Sequence, residues 1–176
     1  MKTLVIVIHP DLKNSKVNKR WTEELKKYPE QYKIHDLYHK YPDEKIDVSK
    51  EQQLLEAHDK IVFQFPVFWH SCPSFLKKWI DEVFLHGWAY GSKSGYKMSG
   101  KKIALAMSAG IDEHEYGPNE KYRYTLEELT RPLALTFEYV KADYQPLFAY
   151  YGMEFNTSTE WIEKSVGPYV NFLNSL

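Results

Sequence analysis

The chain has 176 residues, 43% of them hydrophobic, and its 23 Lys+Arg against 24 Asp+Glu leave a formal net charge of −1. That length suits a single domain, spanning residues 1–176, with a sizeable core; the near-neutral charge excludes a general nucleic-acid binder, which is usually basic. The longest apolar runs are about five residues, far short of the roughly 20 that a membrane-embedded helix needs.

The first element is read as a strand over Lys2–Ile8, whose run Leu4-Val5-Ile6-Val7-Ile8 is apolar at every position, as in a parallel strand covered on both faces. The polar loop His9–Ser15 follows, and then a helix over about Ser15–Tyr28, with Val17, Trp21, Leu25 and Tyr28 along one face. A strand, a short polar loop and a helix N-terminus form an anion-binding device, because the first helical N–H groups have no intrahelical acceptor and the helix dipole adds partial positive charge. Two readings stand here: an ordinary helix capped by Ser15 with His9 bonded locally, or a phosphate site in which Ser15 reaches the ligand.

A second strand is expected over Tyr32–Leu37, and a helix opening at Ser49, where Ser49-Lys50-Glu51-Gln52 reads as a capping box. A third strand covers Lys60–Phe65 and ends at Pro66. The helix after it, about Pro73–Leu85, carries Phe75, Leu76, Trp79, Ile80, Val83 and Phe84 on a wide apolar face, with Pro73 in the first turn. Lys93, Lys97, Lys101 and Lys102 form a local basic cluster, read either as a solvated loop or as a contact for an anionic cosubstrate. The fourth strand is Lys102–Ser108. A second capping box, Thr125-Leu126-Glu127-Glu128, opens a helix with Leu126, Leu129, Leu133 and Phe137 on one side. A fifth strand lies near Asp143–Phe148, and the last helix starts near Ser158 and kinks at Gly167-Pro168.

Strands alternating with helices give an α/β fold, a doubly wound parallel sheet with helices on both faces. With five strands the flavodoxin-like order 2-1-3-4-5 is the first choice, and ligands in such sheets sit at the carboxyl ends of the strands by the switch point. Three loops are expected to meet there. After strand one come His9, Asn14, Ser15 and Asn18. After strand three, Pro66-Val67-Phe68-Trp69-His70 offers an aromatic shelf for a planar heteroaromatic, or a packed loop or dimer contact. After strand four, small residues at Ser108-Ala109-Gly110 let backbone N–H groups approach a ligand, or simply turn the chain. The polar loop Asp112–Tyr124 is too long for a plain connection.

Neither Gly-x-Gly-x-x-Gly nor a Gly-x-x-x-x-Gly-Lys-[Ser/Thr] loop occurs. Ser71 and Cys72 beside His70 lack a nucleophile elbow. Asp112-Glu113-His114-Glu115 lacks metal-ligand spacing, so no metal is expected. Cys72 is the single cysteine, which excludes an internal disulfide; with no signal-peptide layout at the N-terminus, a cytoplasmic setting is expected.

The motifs together resemble a known family. They are His9-Pro10 with Ser15 and Asn18; Leu37-Tyr38 with Tyr41-Pro42-Asp43; Phe65-Pro66-Val67-Phe68-Trp69; Lys78-Trp79-Ile80-Asp81-Glu82-Val83-Phe84; His86-Gly87-Trp88-Ala89-Tyr90-Gly91; and Arg131-Pro132-Leu133. In this order, over nearly the whole chain, they resemble the flavodoxin-like NAD(P)H:quinone oxidoreductases, in particular the short bacterial branch of potassium-efflux ancillary quinone reductases and general stress proteins. The resemblance implies FMN rather than FAD, NAD(P)H as cosubstrate, and a ping-pong hydride transfer through the flavin to a quinone or related acceptor. It also implies a homodimer. It assigns the phosphate and ribityl end to His9 and the turn Ser15, Lys16, Val17 and Asn18. The ring goes to Pro66, Val67, Phe68, Trp69 and His70, and the ring's N1/O2 edge to backbone N–H groups of Met107, Ser108, Ala109 and Gly110. Tyr116 and the Gly110 backbone are the expected catalytic groups.

This chain departs from the family at Met107-Ser108-Ala109-Gly110, where Thr-Thr-Gly-Gly is usual, and at His70, where Tyr or Phe is common. The family's histidine partner of Tyr116 aligns near Tyr122 or Arg123. The departures keep a second expectation open, a non-catalytic or regulatory subunit with a potassium-efflux transporter as partner. A one-electron carrier would typically be strongly acidic, and the charge of −1 speaks against it.

Overall fold

The computed structural model describes residues 2–176. Its strands are β1 (Thr3–Val7), β2 (Tyr32–Asp36), β3 (Lys60–Pro66), β4 (Lys102–Ser108), β5 (Asp143–Tyr144) and β6 (Phe148–Tyr150). All pairings are parallel, in the order β2-β1-β3-β4-β5, with β6 also on β4. The expected five-stranded sheet is thus six-stranded. The expected fifth strand is two: Asp143 and Tyr144 pair with Lys102 and Ile103, and Phe148–Tyr150 pair with Ala106–Ser108. Pro146 lies between them, and without an N–H it cannot donate to a ladder.

The helices are α1 (Val17–Leu25), α2 (Leu37–Lys40), α3 (Val48–Glu56), α4 (Ser74–Val83), α5 (Leu126–Leu129), α6 (Arg131–Tyr139), α7 (Thr159–Lys164) and α8 (Val166–Ser175). Alternate strand residues sort into two cores, although the strands read as unbroken apolar runs. Leu4, Ile6, Ile8, Phe63, Leu105 and Met107 pack under α3, α4 and α6. Val5, Val7, Val62, Ala104 and Ala106 pack with Val17 and Trp21 of α1 and with Tyr169 and Leu173 of α8. Both faces are covered, as a parallel sheet requires.

Several expected boundaries move. Leu37 opens α2 instead of closing β2, because Asp36 accepts a bond from the His39 N–H at 3.2 Å and caps a helical turn. The α3 cap is Asp47, which accepts from the Lys50 N–H at 3.2 Å. The expected Ser49 box does not form: Gln52 donates to the Val83 carbonyl at 2.9 Å instead of reaching back. Pro73 takes the cap position of α4 rather than its first turn. The Thr125 box is present, with Glu128 N–H to Thr125 Oγ1 at 3.2 Å and Thr125 N–H to Glu128 Oε2 at 2.8 Å. Its helix breaks at Thr130, where Pro132 removes an N–H from the next turn. Ser158 caps α7, and the kink expected at Gly167-Pro168 falls at Ser165, between α7 and α8.

The lysine cluster is not at the carboxyl end of the sheet. Lys102 is the first residue of β4 and donates to the Leu176 oxygen at 2.5 Å. Lys101 is buried and donates to the His58 carbonyl at 2.7 Å and the Glu56 carbonyl at 3.2 Å. These ammonium groups tie loops together at the amino ends of the strands, so they do not meet a cosubstrate held at the opposite end. No helix among the described residues is long and apolar enough to cross a membrane.

Candidate cofactor site

Two of the cavities at the carboxyl ends of the strands are lined by expected site residues. The first, about 330 Å³, is lined by His9, Asp11, Asn14, Ser15, Lys16, Met153 and Thr157. The first intrahelical bond of α1 runs from the Arg20 N–H to the Lys16 carbonyl, which leaves the N–H groups of Val17, Asn18 and Lys19 without an acceptor inside the helix. Ser15 does not cap α1; the cap is Lys16, with no side-chain bond. His9 Nδ1 accepts from the Asp11 N–H at 3.1 Å, so the neutral ring carries its proton on Nε2 and presents a donor. Burial pushes the His9 pKa below the usual imidazole value, against the opposing pull of Asp11 and Asp36.

The second cavity, about 260 Å³, is lined by Val67, Trp69, His70, Gly110, Ile111, Tyr116, Tyr122 and Glu154. Trp69 and His70 have φ of +48° and +58°. Phe68 and Ser71 flank them and exchange N–H···O=C bonds of 3.1 and 2.9 Å. That geometry is a type I′ turn, which Asn and Gly favour; two bulky residues in it store strain on the order of 1 kcal/mol or more each. The turn holds Trp69 96% exposed. His70 lies 5.1 Å from Tyr122, and Tyr122 5.5 Å from Tyr116, between ring centroids. Tyr122 thus links the His70 imidazole, from the loop after β3, to the Tyr116 ring. Burial, followed by Tyr122, Glu115 and Glu154, pushes the Tyr116 pKa up, so its phenol keeps its proton.

Gly110 is tightly enclosed: a Cβ there would lie 2.9 Å from Glu154 Oε1. Its neighbour does not serve as expected, since the Ala109 N–H is taken by the Tyr150 carbonyl at 2.8 Å. Pairing with β6 and the segment after it consumes that donor. Of the other expected residues, Val17, Asn18, Pro66, Met107 and Ser108 are buried and line neither cavity. Phe68 is exposed on the turn, outside the lining. Among the described residues, no group of His, Cys, Asp and Glu is placed to hold a metal ion.

Residues 1–172 match the family described as having the flavodoxin-like fold. The chain belongs to that family. It is 46% identical over 175 residues to YrkL, an uncharacterized NAD(P)H oxidoreductase of Bacillus subtilis, covering 99% of each chain. It is 40% identical over 135 residues to KefG of Cronobacter sakazakii, an ancillary protein of the glutathione-regulated potassium-efflux system, covering 77% of this chain and 72% of that protein. The crystal structure of general stress protein 14 from Treponema denticola in complex with FMN superposes with a TM-score of 0.93 at 39% identity, covering 99% of each chain.

Within this family fold a fourth loop joins the three expected from sequence. The segment after β6 pairs with the loop after β4, through Met153 N–H to Ala109 O at 3.1 Å and Glu154 N–H to Gly110 O at 2.9 Å. It gives Met153 and Thr157 to the first cavity and Glu154 to the second. Gly152 makes this possible: its φ is +85°, and a Cβ would strike Asp112 Oδ1 at 2.5 Å. The signal in the sequence is a glycine, Gly152, two residues past the end of the last strand.

Proposed function

We propose that the chain is an FMN-dependent NAD(P)H oxidoreductase that reduces quinones or related planar acceptors by two electrons, in a ping-pong sequence. The observation that carries this reading is the paired site: a donor-lined cavity at a helix N-terminus beside an aromatic cavity at the ends of β3 and β4. The site residues suit FMN. The His9 Nε2 proton, the Ser15 hydroxyl and the open N–H groups of α1 are donors of the kind a phosphate takes, and the aromatic lining of the second cavity is of the kind a planar ring takes. When bound, FMN supplies a two-electron carrier that accepts hydride from NAD(P)H and passes it to the acceptor.

The chain's own residues bind, orient and exclude water. His9, Ser15 and Lys16 would hold the phosphate end. Val67, Trp69 and His70 wall the cavity that would take the ring, and the Gly110 N–H would serve as the donor to the edge where charge develops. Tyr116 stays a hydrogen-bond donor across physiological pH and holds its proton at Oη. Leu135 and Tyr139, one turn apart on α6, are 55% and 68% exposed, and Tyr90 lies 5.6 Å from Tyr139. This apolar strip supports a homodimer. The lone Cys72, its thiol pushed up by burial, fits a reducing cytoplasm.

The test is an absorption spectrum of the purified protein with added FMN. Flavin bands that bleach with NADPH under anaerobic conditions and return with a quinone support the reading; failure to bind FMN overturns it. The likeness to KefG supports a second reading, a regulatory subunit that binds a potassium-efflux transporter. A flavin-loaded protein that oxidises neither NADH nor NADPH with any quinone would favour it.

A further inference from the structure

Tyr169, Gln64, Asn18 and Ser108 are among the polar side chains buried in the core layer under α1 and α8, beside Val5, Val7, Val62, Ala104 and Ala106. They form a directional chain. Tyr169 Oη donates to Gln64 Oε1 at 2.7 Å. Gln64 Nε2 donates to the Asn18 carbonyl at 3.0 Å and to Asn18 Oδ1 at 3.3 Å. Asn18 Nδ2 donates to Ser108 Oγ at 2.8 Å. Thr22 Oγ1 adds a 2.8 Å bond to the same Asn18 carbonyl, and Trp21 stacks on the Tyr169 ring at 4.4 Å. The chain crosses α8, β3, α1 and β4.

Burying such groups is unfavourable unless each is bonded, and well-packed apolar side chains of similar size would stabilise the layer at least as well. Fold stability alone does not call for the chain. Its placement gives another reason. Asn18 sits in the first turn of α1, beside the phosphate-end cavity, and Ser108 ends β4, two residues before Gly110 of the ring cavity. A ligand that uses both cavities binds best at one span between its ends, so the spacing between the α1 N-terminus and the 108–110 loop affects how well it fits. The Asn18–Ser108 bond joins those two segments directly. Gln64 and Tyr169 line neither cavity, yet they fix the rotamer of Asn18.

We propose that Tyr169 and Gln64 are positioning residues for the cofactor, setting through Asn18 and Ser108 the span between the phosphate and ring ends of the site. The inference rests on the FMN reading above. Through it the C-terminal helix α8 takes part in cofactor selection without touching the cofactor.

The test compares two ligands on the full chain. FMN uses both ends of the site, and riboflavin lacks the phosphate. Binding of each is measured by flavin fluorescence for the parent and for Tyr169→Phe, which keeps the ring and removes one donor. The FMN Kd should rise about tenfold, comparable to a lost buried hydrogen bond, while the riboflavin Kd changes by less than about twofold, a split that general loosening of the fold would not produce. Equal losses for both ligands would reduce Tyr169 to a structural residue and overturn the proposal, as would no change for either. A parent that fails to bind FMN overturns the flavoprotein reading itself, and this inference falls with it. Should Tyr169→Phe not fold, Tyr169→Phe/Gln64→Met carries the same test, because it leaves no unpaired polar atom between the two positions; the same split between ligands is expected.

Discussion

Trp69 and His70 occupy both corners of a turn whose φ values suit Asn and Gly. The sequence does not disclose this, since neither residue is a turn former. Strain held beside a binding cavity is expected where function outweighs stability. Trp69→Asn and His70→Gly should each stabilise the ligand-free protein by about 1 kcal/mol, read as a higher urea midpoint, while lowering turnover with NADPH and quinone. Unchanged or lower stability would show that the turn is not strained. His9 offers a second test at this scale. Its folded pKa lies below the 6.5 of a free imidazole, so between those two values the unfolded chain binds a proton that the folded one refuses, and stability rises with pH across that window. Below the folded pKa the loss is complete, and above 6.5 it vanishes. Subtracting the Tm-versus-pH curve of His9→Gln from that of the parent should isolate this slope.

Four elements meet at Glu51, which is 1% exposed. From α3 it accepts from His35 of β2 at 3.0 Å, from Tyr41 beyond α2 at 2.7 Å and from Trp79 of α4 at 2.9 Å. Burial alone would raise its pKa, but these bonds outweigh burial and hold it below the usual carboxylate range. Glu51→Ala strands three buried donors and should cost about 3 kcal/mol, roughly 10 °C in Tm at this chain length. FMN binding should change little once the protein is folded, because none of these groups lines either cavity. Sequence placed Glu51 inside a capping box; only the packing of β2 against α3 and α4 shows that its charge faces inward.

At the scale of the whole molecule, Leu135 and Tyr139 on α6 form an exposed apolar strip, next to Tyr90, which packs against the core. If a second copy covers it, the parent should sediment as a dimer, and Leu135→Glu/Tyr139→Glu should sediment as a monomer with unchanged far-ultraviolet circular dichroism. A parent that sediments as a monomer removes the homodimer from the reading.

Local chemistry made much of this protein legible. Apolar runs such as Leu4–Ile8, alternating with helical stretches, read as strands covered on both faces, the apolar stripe of α4 marks the face it buries, and the Thr125–Glu128 box forms from four adjacent residues. From these follow the parallel α/β sheet, its strand order, and the loops after β1, β3 and β4 as the place to look for a site. What depended on residues far apart in the chain was settled by tertiary structure alone. The Asn18–Ser108 bond spans 90 residues and the Tyr169–Gln64 bond 105. The Ala109 N–H is consumed by a strand that pairs from 41 positions away, Tyr150 of β6. Glu154 enters the ring cavity because Gly152 turns the chain back toward Gly110. Sequence spacing fixes which side chains share a face of one element; which faces meet is decided by how the elements pack.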